Sequence, residues 1–165
     1  MGFWRCTVYL VFLGILAHAV GECLPRHLFD PDKRFFAGFD WENNGRVYDK
    51  LRIRRWKDRV PDMSRLDDRM RPKQLRAVRS REDWQRLLRE TCVAESVHWG
   101  LILLSPVLPV LWPGWGGFLL MLADVFLGNL PFILIQRYNR PRLAALLRLA
   151  CRERSTTHED SDPKL

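Results

Sequence analysis

The chain has 165 residues, with 27 Lys and Arg against 19 Asp and Glu, a formal charge of +8 and 47% apolar residues. Its mean hydropathy of -0.20 averages two opposite compositions. Residues 1–24 and 96–136 carry almost no charge, whereas the stretch between them and the stretch after them are dense in arginine. That pattern excludes a disordered chain, a disulfide-framed secreted domain and an ordinary single-core soluble fold. It predicts a mainly α membrane protein: an N-terminal hydrophobic segment, a basic interfacial module and a C-terminal transmembrane helical hairpin.

Residues 1–22 form the first unit, apolar from Phe3 onward apart from Arg5, Cys6, Thr7 and His18. One basic residue, a short apolar run and Ala17-His18-Ala19 fit a secretory signal peptide; the same residues fit an uncleaved signal anchor. Charge bias favours the anchor. Six Lys and Arg lie in 73–92 and six in 137–156, on either side of the hairpin, and its turn has none. Basic residues collect at cytoplasmic membrane ends, so both flanks are expected inside and the turn outside.

Residues 23–95 form the basic, aromatic module. Phe35, Phe36, Phe39, Trp41, Tyr48 and Trp56 alternate with arginine and lysine. Beside membrane spans, that interleaving reads as a headgroup-binding surface, and nucleic acid is not an expected partner. Residues 48–59 suit either a short amphipathic helix or an extended interfacial segment. A polar connector at 63–79 leads to a helix start at Ser80, with Asp83 in capping-box spacing. Trp84, Leu87, Leu88 and Thr91 then recur at helical intervals as one apolar stripe. At about 100° per residue from Trp84, Glu95 falls near +20° and His98 near -40°, both on that stripe.

The hairpin is expected over 96–136. Residues 97–111 are interrupted by Pro106 and Pro109, which predicts a kinked span or a re-entrant half-helix. Trp99, Trp112 and Trp115 bracket it as interfacial indoles do. Residues 116–135 carry only Asp124 and Asn129 as strongly polar members, and twenty helical residues cover about 30 Å, the hydrocarbon thickness. Residues 137–165 are a basic helix and a polar tail, with Pro141 read as the start of a new helix. The four cysteines (Cys6, Cys23, Cys92, Cys151) have no metal-ligand or paired spacing and read as reduced thiols, so no metal site is expected.

Two constellations carry chemistry. Charge and imidazole on a buried face are costly unless paired or functional. Glu95 and His98 are three apart and can meet on one helix face, as a carboxylate that orients a general base or as a self-satisfied pair. The second constellation is Asn129-Leu130-Pro131 followed by Gln136-Arg137-Tyr138-Asn139-Arg140-Pro141-Arg142-Leu143. Its arginines suit phosphates or lipid headgroups, and Gln136 and Asn139 suit sugar hydroxyls. The plainer reading is a basic stop at a membrane end.

These residues, in order with Phe39-Asp40-Trp41-Glu42, Arg55-Trp56-Lys57-Asp58, Glu90-Thr91 and Glu95-x-x-His98-Trp99, resemble the glycosyl-4,4'-diaponeurosporenoate acyltransferase family. The resemblance covers residues 36–149 and is most specific in the stretch from Gln136 to Leu143. It implies a multi-pass enzyme of the bacterial cell membrane, in the staphyloxanthin carotenoid pathway. The implied reaction esterifies the glucose C6 hydroxyl of a glycosylated carotenoid acid with a fatty acyl group. Its partners would be membrane lipids, the glycosylated lipid or carotenoid acceptor and the fatty acyl donor. No bound cofactor is implied; acyl-CoA or another activated acyl donor is the co-substrate.

On that basis His98 takes the hydroxyl proton, Glu95 orients it, and Arg137 or Arg140 binds donor phosphate or stabilises the oxyanion. Gln136, Asn139, Trp56 and Asp58 complete the expected substrate-binding set. Two rival readings stand beside it: a non-catalytic membrane adaptor binding anionic lipid or a partner enzyme, and an acyltransferase with another glycolipid acceptor.

Overall fold

The computed structural model describes residues 1–57 and 81–159, the last ten of these by backbone alone. The connector 58–80, with Asp58 and the expected helix start at Ser80, lies outside the described residues. All regular structure among the described residues is helical. Helix α1 spans Gly2–Cys23 and, at about 1.5 Å per residue, reaches about 33 Å. Short three-ten turns at Arg26–Leu28 and Asp40–Gly45 lead into two single-turn helices, α2 at Val47–Lys50 and α3 at Ile53–Trp56. Helix α4 follows at Arg81–Leu104, then α5 at Val107–Leu111 and α6 at Trp115–Ala123. A π-helical stretch at Asp124–Asn129 passes directly into α7, Leu130–Glu159.

Three stretches are long and apolar enough to cross a membrane: Gly2–Cys23, Arg81–Leu111 and Trp115–Leu149. Their outward faces carry Trp4, Phe12, Leu103, Val110 and Leu127, each more than half exposed. An apolar belt on this scale is unstable against water and is satisfied by lipid tails. The chain is a helical membrane protein.

The break between α4 and α5 follows from its prolines. Pro106 has no N–H for the Ile102 carbonyl, which instead accepts from the Ser105 backbone N–H at 3.2 Å. Pro109 likewise leaves the Ser105 carbonyl to the Leu108 N–H at 3.0 Å, so the arm kinks and continues. The turn at 112–114 folds α6 back onto α5. Gly117 permits that approach, because a Cβ there would collide with the Trp112 carbonyl oxygen.

Helices α4 and α7 make the most extensive contact in the bundle. Helix α1 runs antiparallel to α4: the Cys6 thiol donates to Leu108 O, the Tyr9 hydroxyl donates to Leu104 O, and Gly21 lies by Val97. At its far end Arg26 forks onto both oxygens of Glu90, at 3.0 and 3.2 Å. The start of α1 meets the hairpin turn, where Phe3 and Trp112 pack edge to face at 5.9 Å.

Two expectations differ in detail. Pro141 does not begin a helix; it lies inside α7, which runs on through it. Its missing N–H frees the Arg137 carbonyl, and the loop at Gly45 packs over this point. For residues 48–59 the sequence predicts a short amphipathic helix or an extended interfacial segment; residues 58 and 59 lie outside the described residues, and over 48–57 the chain forms two single-turn helices. Arg52, with φ 51°, separates α2 from α3 and points Tyr48 and Ile53 together into a small core with Tyr138.

Gly45 is constrained twice. Its φ is +82°, and an added Cβ would lie 3.0 Å from Pro141 Cγ and 3.4 Å from a guanidinium nitrogen of Arg142. The left-handed region alone costs a residue with a Cβ about 1–2 kcal/mol. Gly45→Ala is therefore expected to lower the thermal midpoint in detergent by several degrees, and an unchanged midpoint would show that the module is not seated on α7 at Pro141.

Candidate active site

Glu95 sits on α4 where the charged half of the helix meets its apolar half, and it is 0% exposed. Its Oε1 accepts from Arg137 Nε at 2.7 Å and its Oε2 from an Arg140 terminal nitrogen at 2.6 Å. Trp99 Nε1–H also reaches Oε1, at 3.4 Å. Arg137 turns a second nitrogen to the buried Glu42 carboxylate and a third to Phe35 O at 3.1 Å. Arg140 donates to Thr91 Oγ1 at 3.0 Å, to Thr91 O at 3.2 Å and to Phe36 O at 2.8 Å. Two cations and two anions thus close on one another.

Every donor of this clamp that is buried finds an acceptor, which is the condition for charge to survive away from water. The arginines come from successive turns of α7, three residues apart, so both project from one face. The interfacial module supplies the roof. Phe35 and Phe39 lie 5.9 and 5.2 Å from the Arg137 guanidinium carbon, and Phe36 lies 5.3 Å from that of Arg140. The Arg–aromatic interleaving in the sequence therefore has an intramolecular use, with cations on ring faces.

Tyr48 stands beside the same cluster, outside the spans. Burial, and then the nearby Glu42 carboxylate, push its hydroxyl up to about 12 from its ordinary 10.0. A raised value stabilises the fold in full below pH 10 and ceases to do so as pH rises through about 12. Wild-type thermal midpoints are thus expected to fall across that window, and Tyr48→Phe to fall less; equal slopes would contradict this.

One turn beyond Glu95, His98 faces α7 and the π-helical stretch. Its Nδ1 lies 3.0 Å from Asn129 Oδ1, and its ring stacks on Phe132 with centroids 4.6 Å apart and planes 8° apart. Asn129 Nδ2 donates to the Asp124 carbonyl at 3.0 Å. Asp124 Oδ2 in turn accepts from Ser105 Oγ at 2.5 Å. A line of polar groups therefore runs from His98 into the apolar half of the bundle. Among the described residues no group of three or more His, Cys, Asp and Glu side chains is placed to hold a metal ion.

Beside the clamp opens a groove of about 1200 Å³, lined by residues of the module, α4 and α7. Arg46, Arg89 and Arg148 line it and make no ion pair among the described residues; Asp30, Asp32 and Asp40 line the same groove. Arg142 is held on Asp49 at 2.8 Å.

The residues singled out in the sequence thus separate. Glu95, Arg137 and Arg140 come together, with His98 one turn away. Gln136 and Asn139 are half-buried on α7 and do not line the groove. Trp56 donates its indole N–H to Leu51 O at 3.0 Å and packs against the Tyr48–Ile53–Tyr138 core. Asp58 lies outside the described residues. Glu42, Thr91 and Ser105 were not picked out. Glu42 lay in a motif without a role, and only folding the module onto α7 brings it to Arg137.

A three-span helical bundle with a neutral arginine–glutamate clamp and a histidine at the edge of its apolar belt defines a membrane protein with a polar site at one end of its spans. The glycosyl-4,4'-diaponeurosporenoate acyltransferase family model matches residues 31–149, which include the clamp, His98 and Asn129. The chain belongs to that acyltransferase family. It is 28% identical over 148 residues to a glycosyl-4,4'-diaponeurosporenoate acyltransferase of Staphylococcus aureus strain N315, covering 87% of each chain. It is also 28% identical over 152 residues to the protein of that name in strain Newman, covering 90% of this chain and 89% of the relative. No solved structure matches it.

Proposed function

We propose that this chain esterifies a sugar hydroxyl of a glycosylated membrane lipid with a fatty acyl group, with glycosyl-4,4'-diaponeurosporenoate as the first candidate acceptor. The observation that carries this reading is the placement of His98 inside the family-matched region. The imidazole is half-buried where charged helix gives way to apolar helix, next to a fixed charge cluster. An acceptor with a long apolar tail and a sugar head would lie along the belt with its sugar at that level.

The acyl donor is an activated thioester such as acyl-CoA. The sugar oxygen attacks the thioester carbonyl carbon, and the C–S bond breaks. His98 takes the hydroxyl proton as the C–O bond forms and returns it to the departing thiolate, which leaves as a thiol. Arg137 and Arg140 already hold carboxylates and backbone carbonyls. The groove arginines Arg46, Arg89 and Arg148 are therefore better suited to donor phosphates. Arg89 and His98 are nine residues apart on α4, about 13 Å along the helix, a distance an extended carrier arm can bridge.

The two basic flanks of the hairpin would face the cytoplasm at the cell membrane, where the thioester is supplied. Helix α1 would remain as an anchor, because its Cys6, Tyr9 and Phe3 contacts fill one side of the hairpin.

The test is lipid and pigment profiling of a host deleted for this protein, complemented with wild type or with His98→Ala. Accumulation of unacylated glycolipid, cleared by wild type alone, is the expected result. Clearance by both variants would remove His98 from the chemistry. An unchanged lipid profile in a host that makes the acceptor would favour the adaptor.

A further inference from the structure

Resting on the reading of His98 as base, we propose that Asn129 is its positioning residue, fixing the imidazole proton on Nδ1 so that Nε2 carries the lone pair that receives the hydroxyl proton. Asn129 is 2% exposed, and its amide is held at both ends. Nδ2 donates to the Asp124 carbonyl at 3.0 Å, and Oδ1 faces His98 Nδ1 at 3.0 Å. A carbonyl only accepts, so the amide nitrogen belongs on the Asp124 side. The flipped amide would set two oxygen lone pairs against each other in an apolar surround. With Oδ1 fixed toward the ring, Nδ1 must be the donor. A neutral imidazole with its proton on Nδ1 has its acceptor lone pair on Nε2.

The backbone makes this arrangement. Five residues apart in an α-helix, Asp124 and Asn129 would point about 140° away from each other. The π-helical stretch Asp124–Asn129 brings position i+5 over position i, so the Asn129 side chain reaches the Asp124 carbonyl. Stacking on Phe132 holds the ring in the plane this contact requires. The Ser105 bond to Asp124 pins the same stretch to the kink at the end of α4.

Two measurements test the assignment. Selective ¹⁵N-histidine labelling of the intact protein in detergent, with His98→Gln to identify the signal, reads the tautomer without any substrate. A neutral Nδ1–H imidazole is expected at His98; an Nε2–H tautomer would overturn the assignment.

In an acyl-transfer assay with acyl-CoA and the glycosylated carotenoid acid, Asn129→Leu is expected to lower kcat about 100-fold with little change in KM. Asn129→Asp keeps an acceptor for Nδ1–H and is expected to stay within about tenfold of wild type. A purely structural role predicts the reverse order, because aspartate loses the donor to Asp124 and adds a buried charge. Equal loss in both variants, or wild-type kcat in Asn129→Leu, would contradict the proposal. Full activity of His98→Ala would instead overturn the base reading on which it rests.

Discussion

His98→Ala is expected to reduce acyl transfer by about 10²–10⁴-fold, the range a positioned general base contributes. The thermal midpoint in detergent should move by no more than a few degrees, because the side chain is only half-buried. A sugar hydroxyl is a weak nucleophile, and its proton must leave as the C–O bond forms. In this site the imidazole is the side chain whose ring nitrogens can take up and return a proton. Glu95 has both oxygens committed to guanidinium donors at 2.7 and 2.6 Å, so its lone pairs already serve cations. Initial rates with saturating acyl-CoA measure the effect. A loss under about tenfold would mean that the proton leaves by another route.

The second large effect concerns the fold. Glu95→Ala is expected to destabilise the protein by about 3–5 kcal/mol, because it strands two guanidinium groups that are 8% and 5% exposed without their shared anion. Glu42 can still serve Arg137, so most of the loss falls on Arg140. Removing the cation as well should recover part of it. Glu95→Leu combined with Arg140→Met is expected to be less destabilised than the sum of the two single variants, as coupled partners require. Thermal unfolding in detergent of the four proteins closes the cycle. Strict additivity would show that the Glu95–Arg140 pair carries no coupling.

The spans were the most legible part of the chain, since an apolar run of helical length has few other uses. The turn at 112–114 and the kink near Pro106 follow from residues whose backbone limits are local. The helix stripe from Trp84 onward also put Glu95 and His98 on the buried face, and α4 does turn both toward α7. Local periodicity stops being informative at their partners. Spacing put Glu95 and His98 on one face, and an antiparallel α7 adds partners that spacing could not show, Arg137 and Arg140 for the first and Asn129 for the second. Those pairings span 42, 45 and 31 residues.

One local signal misled for a definite reason, and two others showed only part of their use. Pro141 reads as a helix start because proline suits a first turn. Here its i−4 carbonyl is covered by the glycine loop at Gly45, so the helix tolerates it. Asp124 and Asn129 were visible as polar residues in an apolar run, but at α-helical spacing they point apart. Only the π-helical register joins them. The aromatic and basic residues at 35–42 suggested headgroup contact; their rings and carbonyls also cover Arg137 and Arg140, a use that needs the module folded onto the hairpin.

The central claim is that this protein moves an acyl group onto a sugar hydroxyl. It is tested most directly with the purified protein in lipid vesicles, supplied with the glycosylated carotenoid acid and fatty acyl-CoA and followed by mass spectrometry and free-thiol release. The predicted result is a sugar ester that appears with one thiol released per ester formed, and that is lost in His98→Ala. Thiol release without ester, or unchanged acceptor beside intact acyl-CoA, would contradict it.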